Sequence, residues 1–240
     1  MKNSHKIIIA TVLGLCAGAT VASAADKAAA TVQPTVAAIT TASPASTDAT
    51  PKKDLLSREL TNLDIEKWKN ATAKDPKDAN AFFELAMAYS RSSYIEKAWP
   101  ALQEVDKIDP NFANKVIQKM SANLAKNPND TESRYRLAFG YYFKGLKNND
   151  NTFKQKAKDE FDRIIKQDPK HVWAINYRAY LYTEDGQLDK AISMWEMSLA
   201  IDKNNPVTHF VLGHAYYKKG KFKQALSEIG LAFDLRNKGF

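Results

Sequence analysis

Cysteine and histidine are scarce in this 240-residue chain, and their scarcity excludes several kinds of site. There is one cysteine, Cys16, and there are four histidines. A single cysteine forms no intrachain disulfide and no zinc site built on thiolates. His209 and His214 are five residues apart (214 − 209 = 5), so they do not share a helix face as a pair of ligands at i and i+4 would. The sequence predicts no metal site and no cofactor.

The usual catalytic motifs are also missing. There is no glycine-rich phosphate loop, no nucleophile elbow and no zinc motif. Acidic pairs such as Asp159 and Glu160 stand among lysines, as they do on solvated helix faces. The net charge is +8, and "YYKKGKFK" mixes lysine with aromatic residues as strand-binding proteins do, but its aromatics fit helix packing and its lysines fall in a turn. We predict neither an enzyme nor a nucleic-acid-binding protein.

The only long apolar run lies at the N-terminus, in a pattern typical of secretory signals. Lys2 and Lys6 precede an apolar stretch over residues 7–19, and the small residues Ala22, Ser23 and Ala24 follow it. This predicts a signal peptide over residues 1–24, with cleavage after Ala24. The protein is then expected in the bacterial periplasm or outside the cell.

Two alternatives to a cleaved signal remain open. An uncleaved anchor would give the protein its only contact with a membrane, although Gly14 and Gly18 interrupt the run and a spanning helix needs roughly 20 apolar residues. Lipid attachment at Cys16 is the second, although Leu15 stands where a lipobox has a small residue.

Composition divides the rest of the chain in two. Residues 25–53 are rich in Ala, Thr, Ser and Pro and lack large apolar residues at helical spacing, which predicts a disordered linker. Apolar residues at helical spacing begin after Asp54 and predict a leading helix over residues 55–74. Asp75-Pro76 ends it, because proline disfavours a helical conformation in the residue before it. The folded part is predicted to span residues 54–240.

One pattern recurs every 34 residues. Gly186 and Gly220 are that far apart (220 − 186 = 34), and so are Ala179 and Gly213. Small residues permit two helices to cross closely, a large apolar residue in the second helix fills the space between units, and glycine suits the turn between the helices. The small residues at the crossings are Ala86, Ala138, Ala179 and Gly213 in the first helices and Ala98, Ala157, Ala191 and Ala225 in the second helices. The large apolar residues of the second helices are Leu102, Phe161, Trp195 and Ile229. The glycines at the turns are Gly145, Gly186 and Gly220.

This spacing and these residues resemble the tetratricopeptide repeat (TPR) family. The resemblance implies an all-α solenoid, a right-handed superhelix of antiparallel helix pairs. The predicted units are 79–112, 131–171, 172–205 and 206–239, with an extra helix over 112–126. The second unit carries about seven additional residues, "LKNNDNT", which predict a solvated loop because the alternating acids of a calcium loop are absent.

The resemblance also implies a function, the binding of a protein or peptide on the face formed by the first helices. Aromatic side chains provide large contact areas at low entropic cost, and this stripe is rich in them. The predicted partner-binding residues are Phe83, Met87, Tyr135, Phe139, Tyr142, Trp173, Asn176, Tyr180, Phe210, His214 and Tyr217. The alternative for several of these aromatics is a place in the core between neighbouring helices. The Lys/Asn/Arg clamp of chaperone-binding members is not found on this stripe.

A second function is suggested by the last predicted helix. Repeat arrays are generally closed by a polar capping helix, and none follows unit 206–239. Leu226 and Phe233 are then expected to be partly exposed. The alternative to a peptide-binding scaffold is a structural subunit that associates with itself, for example as a homodimer, through this helix.

Overall fold

The structure, a computed structural model, describes residues 51–92, 94 and 97–240. These residues form ten α-helices and no strand: α1 (Pro51–Lys74), α2 (Ala79–Ser90), α3 (Ala98–Ile108), α4 (Phe112–Lys126), α5 (Thr131–Asn148), α6 (Asn151–Gln167), α7 (Val172–Glu184), α8 (Leu188–Ile201), α9 (Pro206–Lys218) and α10 (Phe222–Asn237). The signal peptide and most of the linker lie outside the described residues. Residues 51–53, assigned to the linker by composition, are helical. Across the described ranges, no helix has the length and apolarity needed to span a bilayer.

Short polar side chains set where the helices begin. Asp78 accepts hydrogen bonds from the backbone N–H groups of Asn80 and Ala81, at 2.9 and 3.0 Å. Asn205 accepts one from Thr208 at 3.0 Å. These contacts satisfy amide groups that have no partner inside the first turn of a helix. The helices therefore start at the boundaries predicted from the Asp-Pro and Asn-Pro segments.

Three consecutive helix pairs, α5–α6, α7–α8 and α9–α10, follow the predicted repeat. Ala138, Ala157, Ala179 and Ala191 are fully buried where the helices of a pair cross. In the last pair, a Cβ placed on Gly213 would lie 2.8 Å from Ile229 Cγ1. The close approach explains why only small residues occur at these positions, and the all-α repeat architecture is confirmed.

The first helices α5, α7 and α9 lie beside one another. The rings of Phe139 and Tyr177 are 4.6 Å apart, which joins α5 to α7. The Nδ2 of Asn176 donates to the Oγ1 of Thr208 at 2.8 Å, which joins α7 to α9. We call the surface formed by these three helices the first-helix face.

Charged side chains tie the second helix α6 to the following unit. Lys158 of α6 pairs with Asp185 at 2.5 Å, and Arg178 of α7 pairs with Asp162 of α6 at 2.7 Å. Arg178 stands where the repeat usually has leucine, and its guanidinium also lies 3.9 Å from the centre of the Tyr182 ring. A buried arginine thus replaces an apolar contact by an ion pair and a cation–π contact.

The second unit turns at a different residue from the one predicted. Gly145 lies inside α5, and the left-handed residue is Asn149, with φ 51°. The additional residues lengthen α5 and leave only Asn149 and Asp150 between the helices, so the predictions of a solvated loop and of a turn at Gly145 are wrong. Gly145 is needed for another reason, since a Cβ there would lie 3.0 Å from the backbone N of Lys154.

The first unit, α2 and α3, is oriented differently from the later ones. Glu84 pairs with Arg136, and Arg91 pairs with Glu132, at 2.9 and 2.8 Å. In these two contacts, residue numbers rise along α2 while they fall along α5. The two first helices are therefore antiparallel, whereas neighbouring first helices of the later units are parallel. The extra helix α4, with the predicted bounds, packs against α5 and separates the first unit from the second.

Candidate functional site

Six of the eleven predicted partner-binding side chains are buried in the core. They are Phe83, Met87, Tyr135, Phe139, Tyr142 and Asn176. Buried side chains offer no surface to a partner in this conformation. They instead hold the first helices together, which is the alternative that the sequence left open for the aromatics.

Tyr135 shows how the first unit covers this part of the face. The Arg91 guanidinium, at the end of α2, lies 4.3 Å from the centre of the Tyr135 ring. Phe139 and Phe161 pack against the ring from its own unit. Burial is the largest influence on the Tyr135 hydroxyl and raises its pKa to about 12. Tyr135 is therefore a core residue of the α2–α5 contact.

The other five predicted residues lie on α7 and α9 and are accessible. Trp173, Tyr180, Phe210 and His214 are half-buried, and Tyr217 is 60% exposed. The open part of the first-helix face is therefore confined to the third and fourth units, 172–205 and 206–239. Binding of a partner by these five residues stays a prediction.

A cleft opens between α7 and α9, and α8 forms its floor. We call it the α7–α9 cleft. Its lining includes two predicted residues, Tyr180 and His214, and residues that sequence reasoning missed. The full lining is Tyr180, Thr183, Leu188, Trp195, Val211, His214, Ala215 and Lys218. Lys218 could have been predicted from the sequence, because it follows His214 by one helical turn. Nothing in the sequence, apart from their apolar character, indicated that Leu188 and Val211 line the cleft.

The rim of the cleft offers hydrogen-bond donors and one positive charge. Burial, with a smaller contribution from the Glu184 carboxylate, raises the pKa of Tyr180, so its hydroxyl keeps its proton. Burial, and then the charge of Lys218, lowers the pKa of His214, so its imidazole is neutral at neutral pH. Among the described residues, Lys218 has no ion-pair partner within 4.0 Å.

The carboxylate of Glu184, which influences Tyr180 at the rim of the cleft, is already engaged. The hydroxyl of Tyr142 donates to Glu184 Oε1 at 3.2 Å. The Nζ of Lys154 lies 3.5 Å from Glu184 Oε2. Lys154 offsets the charge of Glu184, so Lys218 gives the cleft a positive rim.

This arrangement is suited to binding. Leu188 and Val211 provide apolar surface for one side chain, and the polar rim provides donors for oxygen atoms beside it. Over the part of the chain that the structure describes, no group of three or more His, Cys, Asp or Glu side chains is placed to hold a metal ion. The cleft matches the form of a site for a peptide segment with an apolar anchor.

Comparison with protein families identifies the repeat. A model described as "TPR repeat" matches residues 179–220, and one described as "Tetratricopeptide repeat" matches residues 160–193. The first match includes the end of α7 and all of α8 and α9, which border the cleft, and the second includes the end of α6, all of α7 and the start of α8. A search of curated proteins finds no match to this chain.

Solved structures of repeat proteins resemble the chain at low identity. TTC0263, a thermophilic TPR protein of Thermus thermophilus, is 16% identical, with 78% of this chain and 92% of that chain covered and a TM-score of 0.49. A crystal structure of MamA is 19% identical, with coverages of 81% and 98% and a TM-score of 0.41. MamA from Desulfovibrio magneticus is 17% identical, with coverages of 78% and 91% and a TM-score of 0.40.

The family assignment rests on the two family models and on the crossing pattern of small residues at 34-residue spacing. That spacing, the paired helices and the close contacts at Ala179 and Gly213 are the features of one repeat. The chain therefore contains tetratricopeptide repeats, matched over residues 160–220.

Proposed function

We propose that this protein is a non-enzymatic interaction scaffold that binds a peptide segment of another protein in the α7–α9 cleft. The observation that supports the proposal is the cleft itself, with an apolar floor, donors at its rim and a lysine that pairs with no acidic group among the described residues. It lies on the first-helix face, where the packing of the helices leaves Tyr180 and His214 accessible. The α5 part of that face is closed by α2 and by aromatic packing.

The chemistry of the cleft indicates what the peptide presents. Leu188 and Val211 favour a small apolar side chain. The Lys218 ammonium and the Tyr180 hydroxyl favour oxygen acceptors next to it, such as a carboxylate or backbone carbonyl groups. We therefore expect a segment in which an apolar anchor is adjacent to an acidic residue.

The proposal includes a location in the bacterial envelope. Its support is the N-terminal sequence, with two lysines, an apolar stretch and the Ala22–Ala24 segment. Export is tested by fractionating cells that express the chain and sequencing the N-terminus of the product. A product beginning at Ala25 in the periplasmic fraction is expected. A full-length product in the cytoplasm would contradict the location without affecting the cleft.

Co-purification from envelope extracts tests the binding function. The bait is residues 25–240, compared with a double variant, His214→Ala and Lys218→Ala, which removes two polar groups from the rim and leaves the apolar floor intact. The matched control carries Lys166→Ala and Lys170→Ala, which are exposed lysines at the end of α6 and beyond it. All three baits are first compared by circular dichroism to verify equal helix content.

The expected result is a protein recovered with the wild-type bait and the control and lost with the cleft variant. A peptide from that protein should then bind the wild-type chain at least ten times more tightly than the cleft variant, a difference of about 1.4 kcal/mol. Equal recovery with all three baits would show that the cleft does not bind the partner.

A further inference from the structure

The outer face of α10 is an apolar stripe that the structure leaves uncovered. Phe222 is 59% exposed, Leu226 74% and Phe233 49%. Spacings of four and seven residues place the three side chains on one side of the helix. Tyr217 extends the stripe at its start, since its ring lies 5.6 Å from that of Phe222.

The preceding unit shows what normally covers this face. Leu226 is the repeat equivalent of Ile192 in α8 (226 − 192 = 34), and Ile192 is only 6% exposed. Helix α8 is covered there by α9, the first helix of the next unit. The stripe on α10 is therefore the counterpart of a surface that α9 covers on α8, rather than a scatter of single apolar residues.

The stripe is complementary to itself. Gly230 follows Leu226 by one helical turn, and no atom lies within 4 Å of the position that its Cβ would take. If two α10 helices pack antiparallel about a two-fold axis with residue numbers summing to 456, Leu226 faces Gly230 of the partner subunit (226 + 230 = 456). In the same register, Phe222 lies beside Phe233 of the partner subunit. A large side chain then meets an open position at the centre, with aromatic residues on both sides.

The charges beside the stripe agree with this register. Lys223 and Asp234 lie on the same edge of the stripe, both are exposed, and neither has an ion-pair partner within 4.0 Å among the described residues. In an antiparallel pair of helices, matching edges face each other, so Lys223 of each chain meets Asp234 of the partner subunit. Interfaces of this kind are isologous, with both contacts formed twice.

We propose that two copies of this chain associate through antiparallel α10 helices. This surface is distinct from the α7–α9 cleft, and the proposal does not depend on the peptide-binding function. One helix face buries less than the roughly 1,200 Å² of a standard interface, so the dimer is weak and depends on protein concentration.

Sedimentation velocity of the full chain over a range of concentrations tests the proposal. The wild type should shift from monomer to dimer as concentration rises, and Leu226→Lys should remain a monomer. Because Leu226 is exposed, this variant should keep the helical circular dichroism of the wild type. A wild type that stays monomeric throughout would overturn the proposal and leave the stripe to residues 1–50 or to another protein.

Charge reversal tests the register. Lys223→Asp and Asp234→Lys should each dimerise more weakly than the wild type, because each places like charges together at both of the symmetric contacts. An equimolar mixture of the two variants restores opposite charges at both contacts, and it should form a heterodimer at least as readily as the wild type dimerises. A mixture that stays monomeric where the wild type dimerises would contradict the antiparallel α10 pairing.

Discussion

His171 has two roles that depend on its remaining neutral. Its Nδ1 accepts a hydrogen bond from the backbone N–H of Ala174 at 3.1 Å, which caps the start of α7. Its ring packs 5.7 Å from that of Tyr135. Burial is the main influence that lowers its pKa; Arg91 also lowers it, while Asp168 and Glu132 act in the opposite direction.

The lowered pKa of His171 predicts loss of stability in acid. The unfolded chain takes up a proton near the ordinary histidine pKa of about 6.5, where the folded chain still resists protonation. The free energy of unfolding should therefore fall as pH decreases from about 7 to about 5, since the unfolded state binds more protons there. Urea midpoints measured across this range test the expectation.

A matched variant separates His171 from the other titrating groups. His171→Asn keeps a side chain that caps a helix but has no proton to gain. Its midpoint should decrease less over the same pH range. His214 retains part of the dependence, because burial lowers its pKa as well. An unchanged dependence in the variant would rule out the role assigned to His171.

Sequence reasoning identified which residues of the first-helix face were aromatic, but it did not separate those in the core from those at the surface. Phe139 and Tyr180 occupy equivalent places in consecutive units and carry similar side chains. Phe139 is buried because Tyr177 and Phe161 pack on it, whereas Tyr180 borders the cleft. Burial here depends on how the units stack, and a single repeat pattern does not encode that.

The stability of a helix pair in this fold depends on the close approach of its two helices at one position. At Gly213 a Cβ would meet Ile229 Cγ1 at 2.8 Å and the backbone oxygen of Ala225 at 3.1 Å. Gly213→Ala should destabilise the protein by about 1 kcal/mol, because the cost of overpacking exceeds the gain in helix propensity. Chemical unfolding followed by circular dichroism measures the change.

Gly230 in α10 is the control for Gly213. No atom lies within 4 Å of its Cβ position, so Gly230→Ala should stabilise the protein by up to about 1 kcal/mol through helix propensity alone. Both variants are measured at concentrations where the chain is monomeric. Equal effects in the two variants would mean that the α9–α10 crossing is not tightly packed.

The turn between α5 and α6 shows which local features were predictable. Gly186 and Gly220 have φ values of 74° and 73°, as expected for glycines at the turns of regular units. In the second unit the additional residues continue the helix past Gly145, and Asn149 takes the left-handed conformation instead. Asparagine tolerates that conformation better than most residues, but a sequence with "NND" at the turn does not indicate which of its members adopts it.

The folded region contains separate clusters of buried residues, and this predicts that local stability differs from one helix to another. One cluster extends from Ala79 to Leu181 and joins the first three units, and a second lies in the third and fourth units. Helix α10 contributes only Ala225 to these two clusters, and its outer side is open. In a dilute sample, hydrogen exchange should therefore be faster in α10 than in α5 and α7. Uniform protection in all three helices would contradict this division.

The number of helix pairs could be predicted from the sequence, but the direction of the first unit relative to the second could not. Four helix pairs followed from small residues at fixed spacing, and the extra helix over 112–126 followed from its apolar residues. The reversal of α2 relative to α5 did not, because the contacts that fix it, Arg91 with Glu132 and Arg136 with Glu84, join charged side chains without periodicity. When a single helix is inserted between two units, contacts such as these ion pairs determine the relative direction of the units.

The hydrogen bond from the Tyr177 hydroxyl to the carbonyl oxygen of Ser90, 3.0 Å long, joins residues 87 positions apart. The end of α2 lies far ahead of α7 in the chain. It reaches its final contacts only after the third unit has been made, because Tyr177 and the ring cluster around it complete that contact. Closing so long a loop slows folding compared with pairing of adjacent helices. The first unit, although it is first in the chain, therefore completes its native packing only when the third unit is in place.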